Sequence, residues 1–308
     1  MAEVREKRVL SSDGEHELVG TVYLPDGAPK AFFHVVHGMK EYIGRYDGFL
    51  KTMAEKGYLA FGYDHLGHGR TAKDALELGY IAPKDGWLRL VDDVAAFGNA
   101  MKNEYPSPLP YYLMGHSMGS FVVRLAVTEY PRLATKLIIM GTGGPNPIAR
   151  LGSGVVSAVK TFRGEKHVSA LLDNLSFGQY NERFPNEGSV AWLTKDPEVR
   201  ERYLKDPFCS YSFTASAMGD LIRLTRECNR PEWSNQVGDS LPILLLSGEE
   251  DPVGEYGAGV RTVFERLKEA GKNAEMILYP GCRHEILNDT SREQVIADIV
   301  RFLEQNND

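Results

Sequence analysis

The stretch that most constrains this chain is Gly115-His116-Ser117-Met118-Gly119. An apolar run over 109–114 precedes it and reads as a short buried strand. A helical pattern over 121–130 follows it. Strand, sharp turn and helix in immediate succession leave Ser117 at the apex. Such a turn is tight, so the positions two before and two after must be small, and it thrusts the hydroxyl above the sheet. Ser117 also stands where backbone N–H groups open a helix, and those groups favour developing negative charge.

A serine hydroxyl is a weak nucleophile until a base and an orienting acid are beside it. The chain offers both, in loops that follow two apolar strand patterns. Residues 241–246 lead into Ser247-Gly248-Glu249-Glu250-Asp251-Pro252, and residues 274–279 lead into Pro280-Gly281-Cys282-Arg283-His284-Glu285. The order Ser, Asp, His is the one expected when the serine of the triad sits on a strand-to-helix turn of this kind. His284 is the expected base, and Asp251 the expected acid that fixes its tautomer. Glu249 and Glu250 compete for that role. Asp251 is preferred because Pro252 restricts its backbone and the shorter side chain is the commoner orienter. The N–H after the nucleophile, that of Met118, is one expected oxyanion donor. The other is Met39 N–H, in the His37-Gly38-Met39-Lys40 loop after the third strand.

The rest of the chain shows how these loops meet. Strands are expected over 9–24 (two, around Ser12-Asp13-Gly14), 31–36, 58–63, 137–140, 241–247 and 274–279. Helices are expected over 46–56, 87–101, 260–270 and 292–304. Alternation of this kind makes a mostly parallel sheet with helices on both faces, an α/β fold whose function sits beyond the carboxyl ends of the strands. The rhythm breaks at Gly143-Gly144-Pro145. Residues 1–144 and 238–308 are therefore expected to form the core domain, with 145–237 a helical cap inserted between the sixth and seventh core strands. Leu151, Val155, Val159 and Phe162 share a helical stripe there, either cap core or an apolar lip for lipid.

Other function classes are excluded in turn. The 308 residues carry a net charge of −7 with no basic run, against a nucleic-acid partner. No apolar run approaches the roughly 20 residues that cross a bilayer, and the charged start lacks a signal core, so a cytoplasmic protein is expected. Cys209, Cys228 and Cys282 have no metal-like spacing and are expected to be reduced. His34 and His37 would lie on opposite faces of a strand, so no metal is expected. His65 and His68 are expected to shape the loop behind the site, each with a satisfied ring nitrogen, and His116 to pack beside the turn.

Motifs and order together resemble the α/β-hydrolases of the monoacylglycerol lipase and lysophospholipase type (serine aminopeptidase S33-like). The resemblance runs through His37-Gly38-Met39, Gly44-Arg45-Tyr46, Asp64-His65-Leu66-Gly67-His68-Gly69, Gly115-His116-Ser117-Met118-Gly119, Asp251-Pro252-Val253-Gly254 and His284-Glu285. In the insertion it includes Phe177-Gly178-Gln179-Tyr180-Asn181, Trp192-Leu193-Thr194-Lys195-Asp196 and Tyr203-Leu204-Lys205-Asp206-Pro207. It implies the triad Ser117, Asp251 and His284, oxyanion donors Met39 and Met118, an ester with a fatty acyl chain as substrate, and no cofactor. Leu151, Val155, Phe177 and Tyr180 are the expected substrate contacts, with transient lipid contact through the cap. Lys40 departs from the family pattern, where a small or uncharged residue is usual, and so does Arg70-Thr71. The same triad also serves carboxylesterases, lactonases and perhydrolases on small esters, and a binding module with a relic triad is the non-enzyme alternative.

Overall fold

A computed structural model describes residues 3–106, 108–146 and 148–305; over 148–151 it describes backbone only. Eight strands form one sheet in the order β1-β2-β4-β3-β5-β6-β7-β8. They are β1 (Glu3–Leu10), β2 (Glu17–Leu24), β3 (Phe32–Val36), β4 (Leu59–Tyr63), β5 (Tyr111–His116), β6 (Lys136–Met140), β7 (Ile243–Gly248) and β8 (Ala274–Tyr279). Pairings of β1 with β2 and β2 with β4 are antiparallel, and all others are parallel. This is the α/β-hydrolase fold. β3, β4, β6 and β7 are buried at every residue, as parallel strands covered on both faces must be.

Helices α1 (Asp47–Glu55), α2 (Gly86–Glu104), α3 (Met118–Glu129), α9 (Ala258–Glu269) and α10 (Arg292–Glu304) cover the sheet. Two apolar clusters lie against it. Phe61, Phe97, Val122 and Leu245 belong to one, and Phe33, Leu50, Leu244 and Ile299 to the other. Expected and observed elements agree to within a few residues except for β1, which starts at Glu3 rather than Val9, and β8 and α10 agree at both ends. α3 starts earlier than the apolar pattern suggests, because Met118 is already helical and Ser117 is its N-cap.

Between β6 and β7 lie α4 (Ile148–Arg163), α5 (Ala170–Phe177), α6 (Pro197–Lys205), α7 (Ala215–Cys228) and α8 (Trp233–Gln236). Ser169, Asp196 and Thr214 cap α5, α6 and α7 by accepting N–H bonds from the first turn, and Pro197 opens α6 with a pre-set φ. α7 and α8 bury Met218, Leu224 and Trp233 in the main cluster with sheet residues. The later part of the insertion therefore shares its core with the sheet.

Candidate active site

β3, β5, β6, β7 and β8 are parallel neighbours, so the loops after them open on one edge of the sheet. At the end of β5, Ser117 has φ 54 and ψ −123, a conformation that costs an L residue strain. The turn persists because its surroundings fix it. Ser117 N–H donates to Met140 O at 3.0 Å, and Ser120 donates to Ser117 O from its backbone N (2.9 Å) and its Oγ (2.6 Å). A Cβ on Gly115 would strike the Gly119 carbonyl, and one on Gly119 would strike the carbonyls of Val36 and His37. Both glycines are required by close approach of backbone. Ser117 remains half-buried.

His284 Nδ1 lies 2.9 Å from Asp251 Oδ2. A carboxylate only accepts, so Nδ1 carries the proton and Nε2 is left basic. Asp251 is fully buried. Val253 N–H (2.8 Å) donates to its Oδ1, and Ser247 Oγ (3.3 Å) to its Oδ2. Glu249 is exposed, and Glu250 pairs with Lys195 at 3.2 Å. Of the three acids, only Asp251 bonds to His284. A Cβ on Gly141, the residue after β6, would lie 3.1 Å from His284 Cε1, so the ring sits beside the strand end that also holds Ser117 N–H.

The loop after β3 is tied down by one buried acid. Glu41 Oε1 accepts from Gly38 N (2.5 Å) and from Tyr46 Oη (3.0 Å), and lies 3.2 Å from His116 Nδ1. Gly38 N–H is thereby occupied. Met39 is half-buried in the turn that follows. Met118 opens α3, where N–H groups have no partner within the helix. Burial alone would raise the Glu41 carboxyl, but the hydrogen bond and charge of His116, with the Arg45 guanidinium, hold it well below the usual range. Lys40 has φ 53, also in the left-handed region. Burial lowers its ammonium pKa, while Asp173 on α5 and Cys209 pull it back up.

His116 joins this loop to the His284 loop. Its Nε2 lies 3.3 Å from His284 O, an acceptor, so that nitrogen carries a proton. Tyr46 Oη lies 2.8 Å from its Nδ1, and its ring is 4.8 Å from the His284 ring. Burial pushes the His116 pKa down, but Glu41's hydrogen bond and charge, with Glu285 and the His284 carbonyl, lift it above its ordinary value. Arg45 bonds Glu285 through both nitrogens of its fork (2.6 and 2.7 Å) and Glu41 at 3.1 Å. Behind lie His65 and His68, whose ring nitrogens bond His37 O (3.2 Å) and Leu66 O (2.9 Å).

A family model described as serine aminopeptidase, S33 (Hydrolase_4) matches residues 27–291, most of the chain. The chain belongs to this family. It is 26% identical over 308 residues to a monoacylglycerol lipase of Mycolicibacterium smegmatis, covering 96% of this chain and 98% of that one. It is 27% identical to the human monoglyceride lipase, covering 90% of this chain and 82% of that one. A solved structure of a highly thermostable carboxyl esterase from Bacillus coagulans, in complex with glycerol, superimposes with a TM-score of 0.92 at 28% identity, covering 97% of each chain.

Phe177, Tyr180, Trp192 and His284 form a row of rings with centroids 5.6, 5.0 and 5.1 Å apart. Val155 and Val159 pack against the main core cluster. Phe162 does not follow them and is 83% exposed. The Leu151 side chain lies outside the described residues. Sequence reasoning gave no role to Glu41, and placed Arg45 and Glu285 only within motifs. An acid three residues past His37-Gly38 was the available signal. A cavity of about 320 Å³ walled by Trp87, Leu125 and Trp233 contains none of these residues.

Proposed function

We propose that the protein is a serine esterase that hydrolyses single-chain acyl esters, of the monoacylglycerol or lysophospholipid type, through an acyl-enzyme. Its standing as a carboxylic ester hydrolase rests on the family and on relatives that match nearly end to end. The observation that carries the finer reading is the buried His284–Asp251 bond beside a strained serine turn. His284 Nε2 takes the Ser117 proton as Oγ attacks the ester carbonyl. Asp251 stabilises the imidazolium that results. Met39 and Met118 N–H receive the oxyanion. The proton then passes to the leaving alcohol, and water repeats the sequence on the acyl-enzyme.

An aminopeptidase must hold a substrate ammonium. Glu41 and Glu285, the acids that act on His116 beside the turn, are both committed to Arg45. That favours a neutral ester. Residues 145–237 act as a cap in this reading, with Phe177 and Tyr180 walling an acyl pocket. Phe162, Leu171 and Leu175 form its contact with lipid aggregates, and the enzyme works in the cytoplasm.

The test compares p-nitrophenyl esters of rising chain length, then monoacylglycerols and lysophospholipids, with an amino-acid p-nitroanilide as the peptidase control. Each added methylene that is buried is worth about 0.8 kcal/mol, so two carbons raise kcat/KM about tenfold until the pocket is full. Ser117→Ala abolishes turnover and labelling by a fluorophosphonate. Asp251→Asn lowers kcat by roughly 10⁴, and Glu250→Gln by less than about tenfold. Labelling that persists in Ser117→Ala, or anilide cleavage that outruns every ester, sinks the reading.

A further inference from the structure

His284 sits in the middle of a seam between the sheet and the insertion. Its N–H donates to Trp192 O at 3.3 Å, and Glu285 N–H donates to Leu193 O at 2.7 Å. Thr194 Oγ1 donates to Asn288 O at 2.7 Å. Asp289 Oδ2 accepts from Lys195 N (3.4 Å) and from Arg283 N (2.9 Å). Consecutive residues of the insertion thus bond the loop on both sides of the imidazole.

Arg283, immediately before His284, closes this seam. Its side chain is 5% exposed. Nη1 donates to Ala191 O (2.8 Å) and to Glu187 Oε2 (3.0 Å), and Nη2 to Glu187 Oε1 (2.9 Å). The guanidinium lies over the Phe184 ring, 3.9 Å from its centroid. Arg200 also reaches Glu187, at 2.9 Å. Apolar side chains of similar volume would hold two segments together at least as well, because buried charges lose hydration. What a two-pronged fork adds is a fixed orientation. Here the oriented residue is bonded to the one whose imidazole must meet both Asp251 and the serine turn.

We propose that Arg283 is a positioning residue: clamped by Glu187 and the Ala191 carbonyl, it sets the backbone that aims His284. The inference rests on the reading of His284 as the base. It also makes residues 184–195 part of the apparatus that holds the base, beyond any part they play in selecting substrate.

The experiment measures kcat and KM on a soluble short-chain p-nitrophenyl ester, with active sites counted by fluorophosphonate titration and folding followed by Tm. Arg283→Met keeps the stem and removes the fork. It is expected to lower kcat per active site by about 10²-fold, the scale of a misplacement near 1 Å, with KM changed less than about threefold. Arg283→Lys keeps the charge, cannot form the fork, and recovers under a tenth of the loss. Glu187→Gln, on a half-exposed partner, tests the same clamp in a chain that folds, and is expected to lose about tenfold in kcat. Millimolar guanidinium is expected to restore part of the activity of Arg283→Ala. Where Arg283→Met does not fold, Glu187→Gln decides. Unchanged kcat per titrated site in the folded variants overturns the clamp, while wild type still labels at Ser117. A wild type that neither labels nor turns over ester overturns the reading of His284 instead.

Discussion

The insertion meets the sheet domain in two different ways. Residues 184–195 are bolted to the His284 loop by backbone bonds, by Thr194 and by the Arg283 fork. Helices α4 and α5 are held mainly by apolar contact, with few polar ties, such as Lys160 Nζ to Ser216 Oγ (3.3 Å) and to Pro83 O (3.4 Å). Val156 and Leu172 are buried, and α4 packs along α7. Their other faces are open: Phe162, Leu171 and Leu175 are 83%, 56% and 51% exposed. Toward the loop after β3, Asp173 on α5 exerts a longer-range attraction on Lys40. Directional bonds fix geometry, and apolar contacts tolerate sliding. On the proposed function, one half would aim the base and the other would adapt to lipid.

The largest effect that can break this comparison is expected in the bolted half. Trp192 lies between Tyr180 and His284, and its carbonyl accepts the His284 N–H. Trp192→Ala removes the ring that covers the imidazole. We expect kcat/KM on a soluble ester to fall by on the order of 10²-fold. Full activity in the folded variant would show that this half does not hold the base.

The open half is expected to give a smaller and selective effect. Replacing Phe162, Leu171 and Leu175 together by Ser leaves turnover of a soluble short-chain ester unchanged. On monoacylglycerol presented in vesicles the rate falls by about tenfold or more, since one large apolar side chain fully buried is worth about 1.5–3 kcal/mol. An equal change on both substrates would remove the distinction between the halves.

How much of this was legible in the sequence follows the same division. Period and punctuation placed β8 and α10 at both ends, because each is bounded by turn residues and carries an unbroken pattern. The serine turn was legible because its glycines are demanded by backbone collisions that any such turn must avoid. Pro252 and side-chain length pointed to Asp251 over Glu250, and Asp251 is the one of the two that bonds His284. The Arg45–Glu285 fork was not legible, since it joins charges 240 positions apart and no periodicity marks the partner. For Phe162 the pattern left core and exposed lip open, and the structure excludes core. The residue continues the apolar stripe of α4, but the helix outruns the surface it packs on, so the last turn is exposed.

The smallest effect tests the far end of the insertion, where α7 joins the core. Asp220 on α7 accepts Trp87 N–H at 3.0 Å, at the start of α2. Its Oδ2 has no partner among the described residues. Burial pushes its carboxyl up to about 7, against the downward pull of that backbone bond. A raised folded pKa means that the folded chain binds a proton the unfolded chain has released. Its contribution to stability is whole below the ordinary carboxyl value of 3.8 and is lost as pH rises to about 7. Asp220→Asn keeps an acceptor for Trp87 N–H and removes the buried charge. We expect the variant to be more stable than the parent by about 1 kcal/mol at pH 8, and no more stable at pH 5. Denaturant midpoints for both proteins from pH 5 to 9 measure this directly. Asp93, raised to about 6 by burial, tilts both curves the same way and cancels in their difference. A gap that does not widen with pH would show that α7 is joined to α2 without a buried charge at the contact.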